Sequence, residues 1–205
     1  MTGPRFLGSF PRADAPLDPP LPEIALVGRS NVGKSSLLNA LAGRRLARLS
    51  TTPGTTQAMN VYELPLPAPR SVYLLDLPGY GYARAGRAAR AAFRRLVTHA
   101  LARPGLRGIV WLLDTRREPS ADDLAMHAAL AARGTGVLAA VTKSDKVPRG
   151  HREPRRRALQ ETLGLDADQI ALTSARTGDG IAELREAIGH LVTRTAEGGG
   201  GKGTS

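Results

Sequence analysis

The 205-residue chain carries 29 lysines and arginines against 18 aspartates and glutamates, a formal net charge of +11, with 41% hydrophobic residues and no cysteine. That balance describes a globular domain with a sizeable core and excludes disulfides and thiolate metal sites. No apolar run approaches the roughly 18 residues of a helical membrane span; the positive excess favours polyanionic partners, while 4% aromatic residues is low for single-strand binding by base stacking.

Residues 1–22 are rich in proline and lack the apolar core of a signal peptide, so they read as a loosely structured lead-in to a cytoplasmic protein. Residues 23–27 form an apolar strand. It runs into Gly28-Arg29-Ser30-Asn31-Val32-Gly33-Lys34-Ser35, and then into a helix opening with Ser36-Leu37-Leu38. Strand, glycine loop and helix in that order fit the phosphate-binding pattern G-x-x-x-x-G-K-[ST]. The loop's backbone N–H groups and the helix N-terminus cradle phosphate, and the Ser35 hydroxyl can ligate Mg²⁺. Only four of the 29 basic residues are lysines, at 34, 143, 146 and 202, so the lysine inside the loop stands out. A compact ammonium on a flexible stem can lie along β- and γ-phosphate oxygens where a planar guanidinium would not fit.

Residues 50–57 form a hydroxyl-rich loop, Ser50-Thr51-Thr52-Pro53-Gly54-Thr55-Thr56-Gln57, able to close on Mg²⁺ and a γ-phosphate and to release them after hydrolysis. The chemistry alone leaves Thr55 and Thr56 as equal candidates. Strands at 59–64 and 71–75 flank a proline-rich turn and suggest an antiparallel hairpin. The second strand ends in Asp76-Leu77-Pro78-Gly79. An aspartate there can hold Mg²⁺ through water, and Gly79 can lend its N–H to a γ-phosphate. The next residue, Tyr80, has a phenol expected to point away from the nucleotide.

A helix rich in alanine and arginine follows at 86–101, then a buried strand at 108–113 and a helix at 120–132 with a capping serine and an acidic first turn. The strand at 136–141 leads to Thr142-Lys143-Ser144-Asp145. A carboxylate here can accept from both N1–H and the exocyclic amine of guanine; adenine offers no such pair, which argues against an ATP-dependent kinase. The Lys143 stem can lie along the base plane. A helix at 152–163 and a strand at 169–172 precede Thr173-Ser174-Ala175-Arg176, whose backbone N–H groups can face guanine O6. A helix at 180–193 closes the domain, and the glycine-rich residues 196–205 read as a tail. The expectation is a three-layer α/β P-loop fold over 23–195: a mostly parallel six-stranded sheet, one strand antiparallel, with helices on both faces.

Taken together, GRSNVGKS, PGTTQ, DLPGYGYA and TKSD resemble the translation-factor-related GTPases, and more closely the EngB (YihA/YsxC) family of bacterial ribosome-assembly GTPases. T-K-x-D in place of N-K-x-D, the long string from Asp76 to Tyr82, and Phe6-Leu7-Gly8-Ser9 ahead of Leu21-Pro22-Glu23-Ile24-Ala25 carry the resemblance over residues 6–193. It implies that Thr56 is the Mg²⁺-binding switch threonine. It also implies a monomeric GTPase acting on the large ribosomal subunit and its RNA, without DNA sequence recognition, and linked to cell division and septation.

On this reading Lys34, Mg²⁺ and the loop amides stabilise charge on the β–γ bridge, Thr56 and Gly79 frame the γ-phosphate, and intrinsic turnover is slow. Arg84, Arg87, Arg90, Arg94 and Arg95 form one basic cluster and Arg152, Arg155, Arg156 and Arg157 another; each is either a solvated helix face or an RNA-binding surface. Two readings of Asn31 stay open: a cap within the loop, or a K⁺ ligand as in the potassium-stimulated relatives it resembles. A K⁺ ligand makes GTP hydrolysis faster in KCl than in NaCl at equal ionic strength, and a loop cap makes the two rates equal.

Overall fold

The structure is a computed structural model, and it describes residues 3–47, 58–66, 71–81 and 87–197. Seven strands form one sheet in the order β1-β3-β4-β2-β5-β6-β7. They span Arg5–Phe10 (β1), Glu23–Gly28 (β2), Met59–Pro65 (β3), Ser71–Asp76 (β4), Leu106–Asp114 (β5), Val137–Thr142 (β6) and Ile170–Leu172 (β7). The helices are Lys34–Ala42 (α1), Arg87–Leu101 (α2), Ala121–Ala131 (α3), Arg149–Leu163 (α4) and Ile181–Glu197 (α5).

The sequence predicts six strands, and β1 is the seventh. It lies in the expected lead-in and pairs antiparallel with β3, with a register shift between Phe6 and Gly8. It is a half-exposed edge strand without an apolar run, paired through its backbone and through Arg5–Glu63, Phe6–Tyr62 and Ser9–Asn60 contacts, so neither hydrophobic alternation nor continuous burial marks it. Pairing is antiparallel in β1–β3 and β3–β4 and parallel in β2–β4, β2–β5, β5–β6 and β6–β7. β3 is therefore the single reversed strand, as expected. The helix expected to start at residue 152 begins earlier, at Arg149, with Pro154 inside it.

Buried strands with both faces covered explain the continuous apolar runs. Along β2, Ile24 and Leu26 join Leu37, Leu38 and Leu41 of α1 and Leu184 and Ile188 of α5. Ala25 and Val27 face the other way, with Leu96 and Val97 of α2, Leu130 of α3 and Leu159 of α4. The carboxyl ends of β2, β4, β5 and β6 end on Gly28, Asp76, Asp114 and Thr142, along one rim of the sheet. In open α/β sheets this rim is where ligands bind.

At the opposite rim a buried ion pair fixes the N-terminal approach. Arg103 Nε and Nη2 donate to Glu23 Oε2 and Oε1 at 2.6 and 2.7 Å, and Nη1 donates to the carbonyls of Ala13 and Ala15. Removing one member of such a pair leaves a buried charge uncompensated. Arg103→Ala is expected to lower unfolding free energy by about 3–5 kcal/mol, read from urea titration.

Candidate nucleotide site

The phosphate loop is shaped by close approach and by outward-held carbonyls. A Cβ on Gly28 would lie 2.9 Å from Val32 Cγ1 and 3.0 Å from Leu112 Cβ, so only glycine lets β2 pass under the loop. Asn31 and Gly33 take positive φ, 62° and 114°, which turns the chain into α1. Thr142 Oγ1 donates to Val32 O at 2.7 Å and to Leu113 O at 3.0 Å. Lys143 Nζ donates to Asn31 O at 2.8 Å and to Asp114 Oδ2 at 2.9 Å. Val32 N donates to Arg29 O at 3.2 Å. With both carbonyls tied outward to the β6 terminus, the amides of Asn31 and of residues 33–36, which have no acceptor among the described residues, are left for a phosphate at the α1 N-terminus.

Lys34 is the first residue of α1, and Asp76 ends β4 beneath it. Burial lowers the Lys34 pKa against the opposing pull of Asp76. Burial likewise raises the Asp76 pKa, against Lys34 and the Asn60 side-chain hydrogen bond. Each charge is thus undercompensated by the protein. Asp76 Oδ1 is buried without a hydrogen-bond partner. An orphaned carboxylate oxygen beside an underneutralised ammonium fits a site for Mg²⁺, through water, and polyphosphate.

At the β6 terminus Lys143 adopts φ 62°, and Ser144–Lys146 form one 3₁₀ turn. Ser174 Oγ donates to Asp145 Oδ1 at 2.8 Å, and Ser144 N donates to Thr173 O at 3.1 Å. The Ser174 bond holds the Asp145 carboxyl below its usual range, against burial. Asp145 Oδ2 has no hydrogen-bond partner; Arg176 and Lys146 stand 3.6 and 3.8 Å away. An ionised, half-satisfied acceptor between two loops is what a base with paired donors requires.

The segment after Asp76 lies along the phosphate loop. Tyr80 N donates to Gly28 O at 3.2 Å, and Ser30 N to Tyr80 O at 3.0 Å. A Cβ on Gly79 would stand 2.7 Å from Ser30 N, so the glycine permits this contact. The phenol of Tyr80 turns inward: it donates to Asp123 Oδ1 at 2.7 Å and accepts from Trp111 Nε1 at 2.9 Å. Burial, chiefly, pushes the Tyr80 pKa up. The ring points away from the loop, as expected.

Gly28 to Ser36, Asp76 to Gly79, Thr142, Lys143, Asp145 and Thr173 to Ala175 thus gather at one rim. The Thr142 and Thr173 hydroxyls point to protein carbonyls, and the Leu77 side chain is in the core. Among the candidate ligands, Gly54, Thr55 and Thr56 lie outside the described residues, as does Arg84 of the first basic cluster. Asn31 makes no side-chain hydrogen bond among the described residues, so no loop cap is formed by it there.

The second basic cluster is internal rather than free. Arg155 binds Thr115 O, Arg117 O and Glu118; Arg156 and Arg157 bind Glu153; Arg152 binds Val147 O and Asp179. The sequence reading missed Asp114 and Asp123. Burial pushes Asp114 up, but Arg116 and Lys143 overcome it and hold the carboxyl well below the usual range. Together with Arg29, Asn31, Arg116 and Lys143, these two aspartates line a cavity of about 180 Å³ on the outer side of the phosphate loop. The signal for Asp123 was its place in the capping box of α3, which explains the residue without any role at the site.

Residues 23–143 match the family of 50S ribosome-binding GTPases. The chain is 46% identical over 174 residues to "Probable GTP-binding protein EngB" of Gemmatimonas aurantiaca, covering 84% of this chain and 83% of that protein. It is 39% identical over 177 residues to the protein of the same name in Bacillus subtilis, covering 85% and 89%. Among solved structures, Era in complex with MgGDPNP and nucleotides 1506–1542 of 16S ribosomal RNA superposes with TM-score 0.74 at 22% identity, covering 90% of this chain and 58% of Era. A probable GTP-binding protein engB superposes with TM-score 0.65 at 20% identity, covering 84% and 99%.

Asp145→Asn replaces an acceptor facing two base donors with an amide that donates. Guanine nucleotide affinity is expected to fall by about a hundredfold or more, since charge-assisted bonds are worth about 1.5–3 kcal/mol each; displacement of a fluorescent GDP analogue measures it.

Proposed function

The chain belongs to the EngB family of GTP-binding proteins and is a GTP-hydrolysing enzyme; on that premise we propose that it is a Mg²⁺-dependent switch in assembly of the large ribosomal subunit. In this reading guanine sits against Asp145 and Lys143, with the amides of residues 173–175 toward O6. The polyphosphate lies in the loop of residues 28–36, with the Lys34 ammonium along the β–γ oxygens. Ser35, Thr56 and, through water, Asp76 hold Mg²⁺, which supplies charge neutralisation on the phosphates. Gly79 meets the γ-phosphate through its N–H. Asn31, whose side chain makes no hydrogen bond among the described residues, is the proposed K⁺ ligand.

Tyr80 follows Gly79, where it could have oriented a water, but its hydroxyl is held by Asp123 and Trp111. With the Tyr80 hydroxyl so occupied, it does not orient the attacking water, and slow intrinsic hydrolysis is the reading that follows. Slow turnover suits a switch whose bound state persists until a partner acts.

The partner reading is carried by one observation. Arg90, Arg94 and Arg95 on α2 are exposed and make no ion pair among the described residues, whereas four of the five α4 arginines, Arg152, Arg155, Arg156 and Arg157, are paired within the chain. α2 follows the segment that starts at Gly79, so the γ-phosphate can govern whether this face is presented. Ribosomal RNA is the polyanion proposed for it. The proposal places the protein in the cytoplasm and links it to normal cell division and septation.

The chain is expected to cosediment with large ribosomal subunits in the presence of a non-hydrolysable GTP analogue and much less with GDP. Replacing Arg90, Arg94 and Arg95 by alanine should weaken binding and flatten its dependence on log[salt] by about one unit per lost phosphate contact. Binding indifferent to nucleotide, salt and these arginines would sink the proposal.

A further inference from the structure

Gly79 is fastened on both sides in a way that the proposed γ-phosphate contact does not require. Before it, Leu77 N donates to Leu26 O at 3.3 Å; after it, Tyr80 exchanges backbone hydrogen bonds with Gly28 and Ser30. The Tyr80 side chain adds a third tether, buried between β5 and α3. Its hydroxyl uses both its capacities, accepting from Trp111 and donating to Asp123. Asp123 is itself immobilised. Its Oδ2 accepts from Ser120 N at 2.8 Å and from Ser120 Oγ at 2.6 Å, and it lies 3.8 Å from Arg29 Nη1 of the phosphate loop. The same Arg29 guanidinium lies over Gly81, where a Cβ would stand 3.1 Å from Arg29 Nε and φ is +81°.

One carboxylate thus joins the phosphate loop, the segment after Asp76 and the first turn of α3. Gly79 N–H has no protein acceptor among the described residues, although Leu77 N–H and Tyr80 N–H on either side are bonded. A free amide held in place by fixed neighbours is a preorganised donor.

We propose that Tyr80 is a positioning residue for GTP: its phenol, seated on Asp123 and Trp111, fixes the Gly79 amide against Ser30 in both nucleotide states. This rests on the reading that Gly79 meets the γ-phosphate. GDP has no γ-phosphate and gains nothing from the fixed amide, whereas GTP binds a donor already in place.

The test uses the full chain and Tyr80→Phe, which keeps the ring and deletes the hydroxyl. The affinity for a non-hydrolysable GTP analogue should fall by about tenfold, as for loss of a buried hydrogen bond to a charged group, while that for GDP stays within about twofold. The KM for GTP should rise more than kcat falls. Asp123→Asn should show the same selectivity, with thermal unfolding of the GDP-bound forms reporting that both variants fold.

Trp111 is the only tryptophan, so its emission reads the anchor directly. It should change in Tyr80→Phe and be the same for wild type with GDP and with the GTP analogue. Equal losses for both nucleotides, no loss for GTP, or a wild-type emission shift on GTP binding would each overturn the proposal. Gly79→Ala separates the two levels. Loss of GTP preference in Gly79→Ala with none in Tyr80→Phe overturns the anchor alone. Preference kept in both overturns the γ-phosphate reading as well.

Discussion

Two hydrogen bonds from adjacent residues determine what the phosphate loop can do. Thr142 Oγ1 takes Val32 O and Lys143 Nζ takes Asn31 O, so the β6 terminus holds two loop carbonyls away from the loop's interior. Without them those carbonyls would compete with a phosphate for the same space, and the α1 N-terminus would face its own chain's oxygens rather than an anion. The bonds also explain why the base-recognition motif and the phosphate motif sit 110 residues apart in sequence yet form one object. Lys143 reaches the loop because its backbone takes φ 62°, and Asp114 steadies the ammonium from β5. Three parallel strands, β2, β5 and β6, must be in register for this contact to form, so the sheet is the device that aligns it.

The parts of the site legible in the sequence are those in which a backbone requirement and a chemical one fall on neighbouring residues. Gly28, Gly33 and Gly79 mark close approach or positive φ, while Lys34, Asp76 and Asp145 mark charge at a strand end or helix start. The six strands that were read correctly are buried, and burial writes itself into composition. β1 left no such trace because it is half-exposed at the sheet edge, and its side-chain partners Asn60, Tyr62 and Glu63 lie more than 50 residues away. Asp114 and Asp123 were missed for a related reason. Each has an adequate local account, a strand-end turn and a capping box, and their partners Lys143 and Tyr80 lie 29 and 43 residues away.

The arginines show the same limit for charge. Counting places five arginines in α4 and four in α2, and sequence spacing treats the two helices alike. Glu153, Glu118 and Asp179 separate them, since each meets an α4 arginine. A net charge of +11 is therefore not spread evenly over the surface that partners see. Long-range attraction of a polyanion depends on all of these charges, but contact with phosphate depends on the guanidinium groups not already occupied.

The buried charges at the nucleotide site follow a complementary logic. Lys34 and Asp76 are each pushed by burial toward the neutral form, and neither fully compensates the other. A fold optimised only for its own stability would pair them or replace them with apolar groups. Here Asp76 Oδ1 stays orphaned, and Asp145 Oδ2 does too at the other end of the site. The two unsatisfied oxygens lie where a metal–phosphate group and a base with paired donors would meet them. Nucleotide binding is thus coupled to stability: the ligand supplies partners that the chain withholds, and the folded state gains what binding provides. The Tyr80–Asp123–Trp111 network is the contrast within the same rim. Its hydroxyl and carboxylate have protein partners, and it carries no orphan for a ligand to satisfy. Two of the unsatisfied atoms thus belong to the carboxylates proposed to meet the ligand, while the Tyr80 hydroxyl and the Asp123 carboxylate are bonded within the chain.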